Sequence, residues 1–125
     1  ALPIFGLPDV APGTTIVHVR RERSALVAAL DARVERMWVQ GMLDEVRSLV
    51  DAGLERGTTA QAAIGYRQAL DQLHGRVDEA EAIARTQHLT RRYARRQVSW
   101  FQRYPAIDVD GPVGAAGIAD RLLAT

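Results

Sequence analysis

Apolar residues recur every three or four positions through most of the chain, which is the pattern of helices with one buried face. Leu26, Leu30, Val34, Met37 and Trp38 predict a helix over residues 22–40, with Trp38 on its core side. Gly41 interrupts this pattern. It resumes over 42–52 with Leu43, Val46, Leu49 and Val50, and Gly53 is placed to end it. Two glycines so placed predict either two helices with a bend or one kinked helix. Residues 56–59 read as a loop, with Thr58 or Thr59 capping a short turn through Ala63. A helix continues over 69–73 and ends at His74-Gly75. Asp78 and Glu81 then form an Asp-x-x-Glu capping box that opens a long helix, from about 79 to 103, closed by Tyr104-Pro105. Residues 118–123 predict a small terminal helix.

Strand signals are few. Ile16-Val17-His18-Val19 is a short β-branched run, and Ile107-Asp108-Val109 is a second, weaker one. Pro3, Gly6, Pro8, Pro12 and Gly13 predict an irregular segment over 1–15. Gly111, Pro112, Gly114 and Gly117 mark a loop. The expected fold is mainly α, with four to five helices and one or two short strands. The expected organisation is an irregular segment (1–15), a helical body (16–110), and a loop with a short terminal helix (111–125).

The long helix carries the one concentrated charge. Formal net charge is only +1, yet residues 82–103 hold six arginines and no acid. At about 100° per residue, Arg85, His88, Arg91, Arg92, Arg95, Arg96 and Arg103 share one arc. Ile83, Leu89, Tyr93, Ala94, Val98, Trp100 and Phe101 share the other, with Thr86, Thr90 and Gln97 inside it. One reading is a solvent-facing arginine surface. The chain has no Lys and no Asn, so coding bias explains part of the arginine content. The sharper reading is a polyanion-binding helix, because clustered like charges repel until neutralised and guanidinium forks suit phosphates. Thr90 and Gln97, seven apart within the apolar arc, either tie this helix to a neighbour or face a polar cavity. Trp100 and Phe101 could stack on a base, although core packing is expected for at least one of them.

Ile64-Gly65-Tyr66-Arg67-Gln68 is the second point of interest. Gly65 inside a helical pattern costs about 1 kcal/mol relative to Ala, so it suggests a turn or a close backbone approach. Its bare surface beside Arg67 could admit an anion; the alternative is a plain packing glycine.

The remaining chemistry is sparse. With 125 residues and 47% hydrophobic content, the chain has the size and composition of one small globular domain. There is no cysteine, hence no disulfide or thiolate metal site, which fits a reducing compartment. No apolar run is long enough to span a bilayer, and no signal peptide is visible. No Gly-x-x-x-x-Gly-Lys-Ser/Thr loop occurs. His18, His74 and His88 lack metal-ligand spacing. Asp44-Glu45 and Asp78-Glu79-Glu81 suit helix starts and faces better than a catalytic pair. Ser24, Ser48 and Ser99 have no nucleophile context. From the residues alone this is a helical module with a basic face and a possible anion site at Arg67, without self-sufficient catalytic machinery.

Three motifs in order sharpen this picture: Arg33-Val34-x-x-Met37-x-x-x-Gly41-Met42-Leu43-x-Glu45-Val46, then Ala63-Ile64-Gly65-Tyr66-Arg67-Gln68 with Leu73-His74-Gly75, and then Thr90-Arg91-Arg92-Tyr93-Ala94-Arg95-Arg96-Gln97-Val98-Ser99-Trp100-Phe101. Together they closely resemble the C-terminal portion of the tRNA dimethylallyltransferase (tRNA isopentenyltransferase) family, over roughly residues 15–110. The resemblance implies a P-loop α/β enzyme with a helical insertion that grips the anticodon stem-loop. It implies transfer of a dimethylallyl group from dimethylallyl diphosphate to N6 of the adenosine 3′ of the anticodon. By the same resemblance Arg67 is catalytic, against the leaving diphosphate, and Gly65, Tyr66, Arg67 and Gln68 bind that substrate. Thr90, Arg91, Arg92, Tyr93, Ala94, Arg95, Arg96, Gln97 and Trp100 bind tRNA, with Arg95 where many members have Lys. Mg2+ is expected with the diphosphate, mainly through the N-terminal half of the same enzyme, which is the further expected partner, and the setting is cytoplasmic with no membrane. The P-loop and general-base Asp of the family lie N-terminal to the matched region, so this portion alone is expected to be inactive. The rival readings are a stand-alone RNA-binding module and a helical scaffold for an acidic protein.

Overall fold

A computed structural model describes residues 10–111 and 114–124. Part of the expected N-terminal irregular segment (residues 1–9) and Pro112 of the expected loop lie outside the described residues. The described elements are, in order, β1 (Val17–Arg20), α1 (Arg23–Val39), α2 (Met42–Asp51), α3 (Tyr66–Leu73), α4 (Glu79–Phe101), β2 (Ile107–Asp110) and α5 (Ala115–Leu123), with 3₁₀ turns at Leu54–Arg56 and Ala60–Ala62. The chain is therefore mainly helical, with five α-helices and two short strands among the described residues. No described helix is long and apolar enough to cross a membrane.

The chain divides into two compact units, Ser24–Ala94 and the combination of Ala1–Arg23 with Arg95–Thr125; α4 starts in the first and ends in the second. In the helical unit the apolar stripes expected from the sequence form the core. Val34 and Trp38 from α1 and Met42 and Val46 from α2 pack with Leu54, Ala69, Leu70 and Ala82. Gly41 adopts φ 106° between α1 and α2, so the pattern resolves into two helices. Gly53, at φ 103°, ends α2 as expected. Asp78 caps α4 by accepting from the Glu81 N–H at 2.8 Å. The other half of the expected box is replaced, since the Glu81 carboxylate accepts from Arg85 Nε at 2.7 Å.

Two expectations fail locally. Neither Thr58 nor Thr59 provides a cap: Thr59 precedes the Ala60–Ala62 turn without a side-chain capping bond. The helical pattern expected to include Gly65 and continue over 69–73 begins only at Tyr66. Gly65 is not inside a helix but at its N-cap, with φ 98° and ψ −48°. That backbone belongs to glycine alone, and a Cβ there would sit 2.7 Å from Met42 Cε. Gly65→Ala is accordingly expected to destabilise the chain by about 1–3 kcal/mol. A urea midpoint equal to that of the native chain would contradict this account of the turn.

In the other unit, β1 and β2 pair in parallel, with Val17 opposite Ile107 and Arg20 opposite Asp110. Arg20 reinforces the pair through Asp108 at 3.2 Å. Each strand starts or ends one residue beyond its sequence signal. α5 begins at Ala115, three residues earlier than expected, because Gly117 is accommodated within it.

Candidate functional site

The Gly65–Gln68 turn is built by a side chain reaching backwards. Gly65 offers no capping side chain, so Gln68 at N3 turns back and its Oε1 accepts from the Gly65 N–H at 2.8 Å. Gln68 is only 7% exposed, and a buried amide held this way fixes the start of α3. Tyr66 next to Gly65 donates its hydroxyl to Glu45 Oε1 on α2 at 2.7 Å. That hydrogen bond, with some burial and the negative charge of Glu45, raises the phenol above its ordinary pKa, so it stays a protonated donor around neutral pH.

Arg67 follows this anchored pair and points outward. It lines an open cleft of about 270 Å³ with Glu55, Gln61, Leu70, Asp71 and Arg76. The two acids in that cleft are engaged elsewhere: Asp71 pairs with Arg76 at 2.7 Å, and Glu55 meets His74. Among the described residues Arg67 has no ion pair of its own. An exposed guanidinium with no ion pair among the described residues is suited to receive an oxyanion.

α4 sorts its arginines differently from the helical wheel. Arg85 is tied to Glu81. Arg91 is half-buried and places Nη1 at 2.9 Å from both carboxylate oxygens of Asp31 on α1. Arg92, Arg95 and Arg96 are exposed, as is Arg103 in the turn beyond Phe101, where α4 ends two residues earlier than expected, and none pairs with a described acid. The part of the arc without ion pairs among the described residues is thus its later portion, with Arg91 spent on holding α1.

The polar residues of the apolar arc divide as well. Thr86 is buried, and Thr90 donates its hydroxyl to the Thr86 carbonyl at 2.8 Å while facing a cleft between α1 and α4. Gln97 is exposed rather than buried, so no buried amide needs a partner there. Ala94 is half-buried. The expectation of core packing for Trp100 or Phe101 also fails within this chain, because they are 41% and 45% exposed. Their rings meet edge to face at 5.3 Å, and Trp100 lies 5.4 Å from Tyr104.

Three contributors to this arrangement were not identifiable as such from the sequence pattern. Glu45 orients Tyr66, and Asp31 neutralises Arg91; both are partners from another helix. Arg33 lines the α1–α4 cleft and makes no ion pair with a described residue. Its i, i+4 spacing with Met37 was visible and marks one helix face; the helix opposite was not visible. No three His, Asp or Glu side chains among the described residues cluster in a way that could hold a metal ion.

Comparison with known proteins follows the same segments. A family profile described as IPP transferase matches residues 8–104. The chain is 60% identical over 89 residues to a tRNA dimethylallyltransferase of Clavibacter sepedonicus, covering 71% of this chain and 29% of that protein. It is 52% identical over 94 residues to one of Kineococcus radiotolerans, covering 75% and 30%. Among solved structures, the full-length tRNA isopentenylpyrophosphate transferase of Bacillus halodurans superposes with a TM-score of 0.76 at 30% identity, covering 88% of this chain and 37% of that one. A tRNA delta(2)-isopentenylpyrophosphate transferase of Staphylococcus epidermidis, at 24% identity and TM-score 0.79, shares the fold. The chain thus spans about a third of the length of these relatives.

Proposed function

The chain belongs to the IPP transferase family, and from that premise we propose that it supplies the diphosphate-contacting and part of the tRNA-binding surface of a tRNA dimethylallyltransferase. In this reading N6 of the adenosine 3′ of the anticodon attacks the allylic carbon of dimethylallyl diphosphate. The new C–N bond forms as the C–O bond breaks, the electron pair leaves with diphosphate, and N6 gives up its proton to a general base in the portion of the relatives that this chain does not span. The observation that carries the reading is Arg67: exposed, unpaired among the described residues, and set in place by the Gly65–Gln68 turn and the Tyr66–Glu45 bond. Charge grows on the leaving diphosphate in the transition state, and a preorganised guanidinium lowers the cost of that growth.

Thr90, Tyr93 and Arg92 in the helical unit, and separately Arg95, Arg96 and Trp100 in the other, are the proposed contacts with the anticodon stem-loop; the three arginines have no ion pair among the described residues. Arg91 contributes in this reading by bracing α1 through Asp31. The described residues do not form a magnesium site, so Mg2+ would be held by the diphosphate and by the portion of the relatives that this chain does not span. That portion is the expected partner, and the cytoplasm the expected setting.

The RNA part of the proposal is tested by fluorescence anisotropy with an unmodified anticodon stem-loop. Charge reversal in an Arg92→Glu, Arg96→Glu double variant is expected to weaken binding at least about tenfold and to flatten the slope of log K against log salt by about two. Unchanged affinity at low salt would show that this face serves something other than RNA. Negligible RNA affinity in the native chain would favour the acidic-protein scaffold.

A further inference from the structure

Arg91 and Arg92 are neighbours on α4 with opposite surroundings. Arg92 is exposed and has no ion pair among the described residues. Arg91 turns onto α1, where its Nη1 lies 2.9 Å from both carboxylate oxygens of Asp31. The two side chains are 33% and 29% exposed, so water and salt screen this pair less than one on the open surface. Gln87, one turn earlier on α4, reaches the same place. Its Nε2 donates to the Asp31 carbonyl at 3.2 Å and lies 3.5 Å from Glu35 Oε1. Two acids one turn apart on α1 thus meet this stretch of α4. Arg85 is the contrast. Its partner Glu81 is four residues away on the same helix and both side chains are 51% exposed, a pair that opens readily.

We infer that Asp31 is a positioning residue that withholds Arg91 from RNA and sets one border of the RNA-contacting face. The inference deepens the RNA-binding reading above and rests on it. A guanidinium matched by a carboxylate has no net charge to offer a phosphate. A phosphate that reached it would also meet the charges of Asp31 and Glu35. The same pair, with Gln87, fixes α4 against α1 and so fixes the direction in which Arg92 projects. Of two adjacent arginines, one holds the helix and the other contacts the polyanion. The resemblance treats both as tRNA contacts; their surroundings separate them. A free cation adds affinity for every RNA, whatever its sequence. Holding Arg91 back therefore lowers general affinity for polyanions and leaves recognition to contacts that are positioned.

The test is the salt dependence of binding between this chain and an unmodified anticodon stem-loop, read by anisotropy. Arg92→Gln is expected to reduce the slope of log K against log salt by about one, the loss of one phosphate contact. Arg91→Gln should leave that slope unchanged. It should lower affinity by no more than about fivefold, the scale of a partly exposed ion pair, and by the same factor at every salt concentration. Asp31→Ala removes the carboxylate at a helical position that suits alanine. It frees Arg91, so the slope should steepen by about one. Combined with Arg91→Gln, Asp31→Ala should show no steepening, because the freed guanidinium is its cause. A merely structural Asp31 would move stability and leave the slope alone. Far-UV circular dichroism checks the fold of each variant; if Asp31→Ala does not fold, the slope of Arg91→Gln decides alone. A slope reduced by about one in Arg91→Gln would place Arg91 on a phosphate and overturn the inference while the RNA reading stands. A folded Asp31→Ala variant with the native slope would do the same. A native chain without affinity for the stem-loop would remove both.

Discussion

In a complete transferase carrying this segment, Arg67→Ala is expected to lower kcat by about 10²–10³, with tRNA affinity nearly unchanged. The separation of the two effects is the informative part. Arg67 lies on α3, with no described ion pair to lose, so its removal leaves no buried acid uncompensated. The arginines proposed to face tRNA lie on α4. What the variant lacks is a positioned charge that matters most when the allylic C–O bond is breaking. Arg67→Lys keeps the charge without the two-pronged fork and should recover only part of the rate. A labelled-prenyl transfer assay under saturating substrates decides the point. Full turnover by the alanine variant would return Gly65-Tyr66-Arg67 to a packing motif.

The largest expected loss of stability is at Trp38. This side chain is 7% exposed within the core of the helical unit, and its Nε1–H donates to Gln72 Oε1 on α3 at 2.8 Å. Trp38→Ala removes the buried ring and leaves the Gln72 oxygen without its donor. The expected cost is about 3–5 kcal/mol, against a total of about 5–15 kcal/mol for a typical domain. Trp38→Phe keeps most of the buried area and loses mainly the hydrogen bond, so it should cost about 1–2 kcal/mol. Urea unfolding followed by far-UV circular dichroism measures both. An alanine variant within about 1 kcal/mol of the native chain would mean that the α1–α3 contact is dispensable.

The helices carrying these residues were legible in the sequence because each buries one stripe. Val34, Trp38 and Val46 announced their own burial by spacing, whereas Met42, outside the expected stripe, is buried in place of Leu43, Leu49 and Val50, which are only half-buried; Gly53 and Asp78 announced where a helix stops or starts. The turn that matters most was harder to read. Gly65 does not look like an N-cap, since the capping atom comes from Gln68, three residues downstream. The arginine arc shows the complementary limit. Periodicity put Arg91 among the outward-facing arginines, but it is half-buried against Asp31, 60 residues away. In the same way the wheel put Gln97, Trp100 and Phe101 on the apolar side without telling whether anything in this chain covers that side. The resemblance implied residue roles that spacing could not, and the structure shows which of those residues are exposed and without an ion pair among the described residues.

The parallel pairing of β1 with β2 has a bearing on how the chain folds. The Arg20–Asp108 contact closes a loop of 88 residues. Joining the ends of a flexible loop of that length costs on the order of 4 kcal/mol in chain entropy, and a pair of four-residue strands returns little against it. Helical turns within residues 24–94 close much shorter loops and draw on a core of their own. The order of events follows: helices first, with α1, α2 and α3 gathering around Trp38 and Val46, and the strand pair last. A nascent chain would hold its Arg67 turn in native form before the segment bearing β2 had found β1, so the element proposed to face diphosphate is among the early structures and the sheet among the slow ones.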